Sequence, residues 1–286
     1  MNDLTRPSRV VELLRQFDLS PSKGLGQNFL VDRNVLEKIV ALADIDSSDT
    51  CIEVGPGLGT LTRELAARAK RVVAIEKDKK LSPVLAHTLA LCPNVDLCFA
   101  DALQVNWSEF LALYTPPFKV VANLPYYVTT PLVMAFLESP LYFERLVILV
   151  QKEVAERMLA TPLKGDYGAL SVAVQYHCEV SVGAKIAATS FFPPPKVASS
   201  VVVLQRRADP AAYYSLNSQE IFFKIVRASF GQRRKTLRNA LLGGTELSLS
   251  VVEAALARST WPDNVRGETL DVKAFVALAN IVAELI

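Results

Sequence analysis

The sequence predicts a doubly wound α/β fold, built on a mostly parallel seven-stranded sheet, with a small all-helical domain at the C-terminus. Three observations predict it. Short β-branched runs alternate with amphipathic segments through the first two thirds of the chain, the pattern of strands joined by crossover helices. Between the first of these strands and the helical pattern after it stands Glu53-Val54-Gly55-Pro56-Gly57-Leu58-Gly59-Thr60, with glycines at alternate positions. Beyond Gln205 the strand pattern stops and only helical periodicity remains.

Residues 1–45 read as helices, and the one at 10–17 places Val10, Leu13, Leu14 and Phe17 on one face. Cys51–Val54, Val72–Glu76, Val95–Phe99, Lys119–Asn123 and Leu146–Val150 read as successive strands, with helical patterns at 60–69, 79–91, 131–138 and 151–159. A helix around 168–177 precedes two further strands, Val180–Ile186 and Ser200–Leu204. The run Arg206-Arg207-Ala208-Asp209-Pro210 and the polar stretch to Gln219 read as a linker. The expected division is a catalytic domain at 1–207, its first 22 residues an N-terminal extension, a linker at 208–218 and a helical domain at 219–286. In that last part Ile221–Phe230, Lys235–Leu242, Ser250–Ser259 and Val272–Leu285 read as helices, broken at Gly243-Gly244 and Trp261-Pro262.

Bulk properties bound the function. With 286 residues, 51% of them hydrophobic, the chain can bury one large core and a smaller one. Four cysteines without a C-x-x-C pair and only two histidines, His87 and His177, give no zinc pattern, so no metal is expected. That cysteine usage fits a reduced, cytoplasmic setting. Residues 1–22 mix Arg6, Arg9 and Arg15 with Asp3, Glu12 and Asp18 and have no continuous apolar stretch, so an ordinary signal peptide is not expected. No apolar run approaches the ~20 residues that span a bilayer, and no membrane partner is expected. Net charge is +2 but unevenly placed: between Ile221 and Thr245 there is no acidic residue, while Lys224, Arg227, Arg233, Arg234, Lys235 and Arg238 supply six positive charges. Subtracting those six from +2 leaves the remainder at −4, which points to a local polyanion contact. By itself the run is equally a solvated helix face.

The glycine segment reads as a strand-turn-helix where the backbone turns sharply and approaches a ligand closely. A dinucleotide fingerprint requires G-x-G-x-x-G, but three residues after Gly57 stands Thr60; the spacing E-x-G-x-G-x-G points to S-adenosylmethionine (SAM). A ligand of an open parallel sheet lies beyond the carboxyl ends of its strands. The second strand ends in Glu76, placed to accept hydrogen bonds from ribose hydroxyls, and the third in Asp101, able to accept from the exocyclic amine of an adenine. Either carboxylate alone is equally a helix N-cap.

The fourth strand ends in Asn123-Leu124-Pro125-Tyr126-Tyr127. An adenine amino nitrogen is a poor nucleophile because its lone pair is delocalised into the ring. Two acceptors aimed at its N–H bonds would turn that lone pair outward, and the Asn123 side-chain oxygen and the Leu124 carbonyl supply them. Tyr126 would stack on a flipped base, a contact worth ~1–3 kcal/mol. Phe191, ahead of Pro193-Pro194-Pro195, would close the other face of that base, although a proline-rich aromatic loop alone is as well a connector.

Together these residues resemble the rRNA adenine N6,N6-dimethyltransferases, in particular the small-subunit KsgA/RsmA branch. The resemblance spans about residues 23–280 and rests on Gly26-Gln27-Asn28-Phe29-Leu30, the glycine segment, Asn123-Leu124-Pro125-Tyr126, Phe191–Val197, Phe230–Asn239 and Arg266-Gly267-Glu268-Thr269-Leu270. It implies a Rossmann-like SAM-dependent methyltransferase fold, with SAM contacts on Asn28, Leu30, Gly55, Gly57, Glu76, Asp101 and Asn123. The implied reaction is transfer of two methyl groups to each of two adjacent adenines in the 3′-terminal hairpin loop of small-subunit (16S) rRNA. A monomer acting on a pre-30S particle is expected, with Lys224, Arg227, Arg233, Arg234, Lys235 and Arg238 gripping phosphates. Some of those cations could instead tie the two domains together. One departure is that Gly267 stands where the family leads one to expect alanine, and residues 1–22 hold no assigned motif.

Two other readings stay open on sequence. A resistance-type dimethyltransferase of large-subunit rRNA shares the cofactor motifs, although it usually has isoleucine at the place of Leu124. A ribosome-assembly factor could keep the fold without depending on catalysis.

Overall fold

The computed structural model describes residues 3–232 and 234–286. It divides into two compact units, one holding the chain to Ala155 together with Val180–Arg206, the other Glu156–Glu179 together with Arg207–Ile286. In chain order the first unit builds α1 (Pro7–Gln16), β1 (Phe29–Leu30), α2 (Arg33–Ala43), β2 (Thr50–Val54), α3 (Thr60–Ala66), β3 (Arg71–Glu76), α4 (Ser82–Thr88), β4 (Val95–Phe99), α5 (Trp107–Phe110), β5 (Phe118–Asn123), α6 (Thr129–Glu138) and β6 (Phe143–Gln151). Next come α7 (Lys152–Leu159) and α8 (Ala169–His177), then β7 (Cys178–Ile186), β8 (Phe191–Phe192) and β9 (Ser199–Arg206).

The seven longer strands form one sheet in the order β4-β3-β2-β5-β6-β9-β7. Strands β4, β3, β2, β5 and β6 are parallel and β9 runs antiparallel to β6. All of β2 is buried, as is β3 apart from Arg71, because helices cover both faces of such a sheet. Lys119 is the exception in apolar β5: its ammonium is held by Asp49 at 2.8 Å and by the Asp44 carbonyl, so the buried charge is compensated.

The switch in strand order falls between β2 and β5, so the loops after these two strands face one another. The expected N-terminal helix is present with Val10, Leu13 and Leu14 buried, and its core extends to Leu81, Val84 and Leu85 around α4. Asp32 caps α2, accepting from the amides of Asn34 and Val35, and its other oxygen accepts from the Ser190 hydroxyl at 2.9 Å. This bond joins α2 to the segment entering β8, where Leu30 pairs with Phe191 and Phe29 with Phe192.

The second unit adds α9 (Pro210–Tyr214), α10 (Gln219–Gly231), α11 (Leu237–Gly244), α12 (Leu249–Ala257) and α13 (Val272–Leu285). Its core joins Tyr167, Val172 and Tyr176, around α8, to Phe222, Val226 and Phe275. That packing is why Glu156–Glu179 belongs to this unit, across the boundary expected from the sequence. The stretch expected as a linker contains α9, capped by Asp209 and starting with Pro210, and Ala211 and Tyr214 pack on the same core. Gly243-Gly244 do end a helix as expected, but from inside it: they are the last two residues of α11. A Cβ on Gly244 would lie 2.8 Å from that of Ala228, and one on Gly243 would lie 2.7 Å from the Gln232 side chain. The pair admits close approach of α10 and α11.

Candidate active site

The turn after β2 takes its shape from its glycines. Gly55, Gly57 and Gly59 have φ of +74°, +59° and +85°, backbone that side chains with a Cβ rarely adopt. The turn is tied to β3 by two bonds, from the Gly55 amide to the Ile75 carbonyl at 2.9 Å and from the Gly57 amide to the Glu76 carboxylate at 3.3 Å. Above it lies β1: the Phe29 ring would be 3.1 Å from a Cβ on Gly57.

These parts line one cavity, together with Leu25–Leu30, Glu53, Glu76, Lys77, Asp101 and Asn123–Val128. Hence Asn28, Leu30, Gly55, Gly57, Glu76, Asp101, Asn123, Leu124 and Tyr126, drawn from five separate stretches of sequence, meet at the switch point. Glu76 is 6% exposed, and burial raises its pKa against the opposing pull of the Asp78 and Gly57 amides. Asp101 is held below the usual carboxylate range, chiefly by its hydrogen bond from Lys77 at 2.8 Å. Glu53, the carboxylate at the head of the glycine motif, is 1% exposed, and burial pushes its pKa up to about 8 against the pull of nearby Thr62. Its Oε2 is buried without a hydrogen-bond partner among the described residues.

On the β5 side, Asn123 Nδ2 donates to the Asn28 carbonyl at 3.1 Å. A carbonyl only accepts, so the amide nitrogen must face it and the amide oxygen is turned away from that bond. The Leu124 amide is anchored on the Leu149 carbonyl at 3.3 Å, and a single helical turn at Tyr126–Val128 leads into α6. Tyr126 is half-buried with its hydroxyl 2.8 Å from Ser199 Oγ, and burial raises its pKa.

Phe191 is not brought to this cavity wall. It is 3% exposed and packs among Leu30, Val35, Ile39 and Val201, since as the partner of Leu30 in a two-stranded ladder it faces the core. The sequence reading also missed Lys77, Tyr127 and Gln27. Gln27 donates to Asp78 at 2.9 Å and accepts from the Ser22 amide at 2.7 Å, pinning the segment over the turn. Position next to Glu76 and Tyr126 was the one available signal for the first two.

Of the expected phosphate-binding cations in the second unit, Lys224 is paired with Glu246 at 2.9 Å and Arg238 with Glu253 at 2.6 Å. Arg227, Arg234 and Lys235 are exposed and have no ion pair among the described residues. Arg233 lies outside the described residues. Among those residues no helix is long and apolar enough to cross a membrane.

Comparison with known proteins agrees with this geometry. The family model described as "Ribosomal RNA adenine dimethylase" matches residues 20–277. Proteins named "Ribosomal RNA small subunit methyltransferase A" are 45% identical in Alkaliphilus metalliredigens, over 99% of both chains, and 46% identical in Moorella thermoacetica, over 98% of both. Among solved structures, a dimethyladenosine transferase from Plasmodium falciparum aligns over 87% of this chain and 95% of its own, with TM-score 0.71 and 26% identity. The 23S rRNA methyltransferase ErmE covers 90% of this chain and 100% of its own, with TM-score 0.67 and 29% identity.

Proposed function

Since this chain belongs to the ribosomal RNA adenine dimethylase family, we propose that it transfers methyl groups from SAM to the N6 amino groups of two adjacent adenines of small-subunit rRNA. The target is the 3′-terminal hairpin loop within a pre-30S particle. The observation that carries this reading is the turned amide of Asn123 at the switch point, beside a glycine turn backed by two buried carboxyls.

The cavity fits SAM. Glu76 offers acceptors suited to ribose hydroxyls, Asp101 an acceptor for an adenine amine, and the orphaned oxygen of Glu53 the chemistry that the ammonium of an amino-acid tail requires. Asn28 and Leu30 would cover the donor from the other side. When bound, SAM supplies an electrophilic methyl group on a sulfonium.

The chain's own work is on the acceptor. Asn123 Oδ1 and the Leu124 carbonyl accept from the two N6 hydrogens, which rotates the lone pair out of conjugation and aims it at the donor side. The Asn28 carbonyl fixes which end of the Asn123 amide faces the base. Tyr126 supplies a stacking face, held by Ser199. No strong base is needed, because the methylated cationic amine readily loses its proton. Exposed Arg227, Arg234 and Lys235 would bind phosphates, which separates the grip on RNA from the base chemistry.

The relatives named for the small subunit are 42–46% identical to this chain against 29% for ErmE, which favours the small-subunit substrate. The test is transfer of tritiated methyl from SAM to immature small subunits, naked small-subunit rRNA and large subunits. Incorporation into immature small subunits, recovered as N6,N6-dimethyladenosine, is expected; incorporation confined to large subunits would overturn the assignment.

A further inference from the structure

Tyr127 lies in the same cavity wall as Tyr126 and has no role in the chemistry above. Its side chain is 51% exposed, unlike that of its half-buried neighbour, and both sit in the single helical turn Tyr126–Val128. The ring is nevertheless held: Lys77 Nζ is 5.7 Å from its centroid, and Asp101 fixes that ammonium at 2.8 Å. The ring thus has half its surface in water and an anchored cation beside it, in the wall of the cavity that Tyr126 also lines.

We propose that Tyr127 is the stacking platform for the nucleotide next to the flipped adenine, and that it makes the site select a purine neighbour. The inference rests on methylation of adjacent adenines. When one adenine leaves the helical stack, its neighbour loses a stacking partner, and a ring one residue along from Tyr126 replaces it. A purine covers more of that ring than a pyrimidine does, so an adenine pair is favoured over a lone adenine. The cation of Lys77, paired with Asp101, holds the ring in place for that stack.

The test uses the full chain and two reconstituted immature subunits, one with the adjacent adenine pair and one in which the neighbour is replaced by uridine. For the wild type, kcat/KM on the pair should exceed that on the uridine variant by about threefold, since a pyrimidine keeps part of the base–aromatic stack. Tyr127→Ala should lose about tenfold on the pair, mostly through KM, and should no longer discriminate the two substrates. Tyr127→Phe should restore both rate and discrimination, which excludes a fold defect as the cause. Unaltered discrimination by Tyr127→Ala would overturn the proposal while leaving the methylation reading intact. Absence of transfer by the wild type to either particle would remove both.

Discussion

The side-chain nitrogen of Asn123 donates to the main-chain oxygen of Asn28 at 3.1 Å, across 95 residues of sequence. The bond joins the end of β5 to the segment that overlies the glycine turn, so the residue proposed to hold the acceptor nitrogen is oriented by the segment proposed to cover the donor.

Asn123→Ala should therefore reduce methylation by at least about 100-fold, the usual cost of removing one preorganised polar group, while RNA affinity falls little. Mass spectrometry of digested rRNA reads the first quantity and filter binding the second. Dimethyladenosine formed by this variant at the wild-type rate would refute the assigned role.

The cations of the second unit should separate into two groups. Neutralising Arg227, Arg234 or Lys235, which are exposed and unpaired among the described residues, should each flatten the plot of log affinity against log salt by about one unit for every phosphate left without its cation. Lys224→Gln and Arg238→Gln should change the slope less, because each charge already has a carboxylate partner. Equal slopes for all five variants would return the segment to a solvated helix face.

Glu53 gives a pH signature. Its folded pKa of about 8 lies above the ordinary value of 4.5, so the folded state holds this proton more tightly than the unfolded chain does. Stability from this group is complete below the ordinary pKa and is lost as pH rises through the folded one. Glu53→Gln cannot ionise, so the thermal midpoint of the wild type should fall relative to the variant between about pH 5 and pH 8. The gap should be widest above pH 8, at about 2–4 °C for each kcal/mol involved. Denaturation scans at pH 5, 7 and 9 in the absence of SAM check it, and parallel curves would refute it.

Gly267 is under a steric constraint, since a Cβ there would lie 2.6 Å from the Ser229 Cβ on α10. Gly267→Ala should cost about 1–3 kcal/mol by overpacking. Introducing Ser229→Gly into that variant should recover part of the stability, and a double-mutant cycle in urea measures the coupling. Additive effects would mean that the two sites do not contend for the same space.

Strong local patterns made the sheet legible in the sequence. The central strands β2, β3, β5 and β6 are mainly apolar runs, and the glycine motif needs positive φ that few other residues tolerate. Glu76, Asp101 and Asn123 could be placed because strand ends of a parallel sheet share one edge. The ladder of β1 with β8 escaped notice because two residues are too few for any periodicity, and that ladder is what buries Phe191. The bond from Asn123 goes to the main-chain carbonyl of Asn28, on which residue type has no bearing. Segment 156–179 shares a core with helices far along the chain, a pairing that local pattern does not encode. In the supposed linker the signal was present, since Asp209-Pro210 is a cap followed by a first-turn proline, but the surrounding polar composition masked it.

Adjacency of β2 and β5 in the sheet has a consequence for how such proteins diversify. The glycine turn proposed to approach the donor follows β2, and the Asn123 segment proposed to address the target follows β5, the next strand of the sheet about 4.8 Å away. Substitutions after β5 that leave the Asn123–Asn28 bond in place would accordingly retune which nucleotide is addressed, so that a lineage could acquire new targets while inheriting its methyl supply.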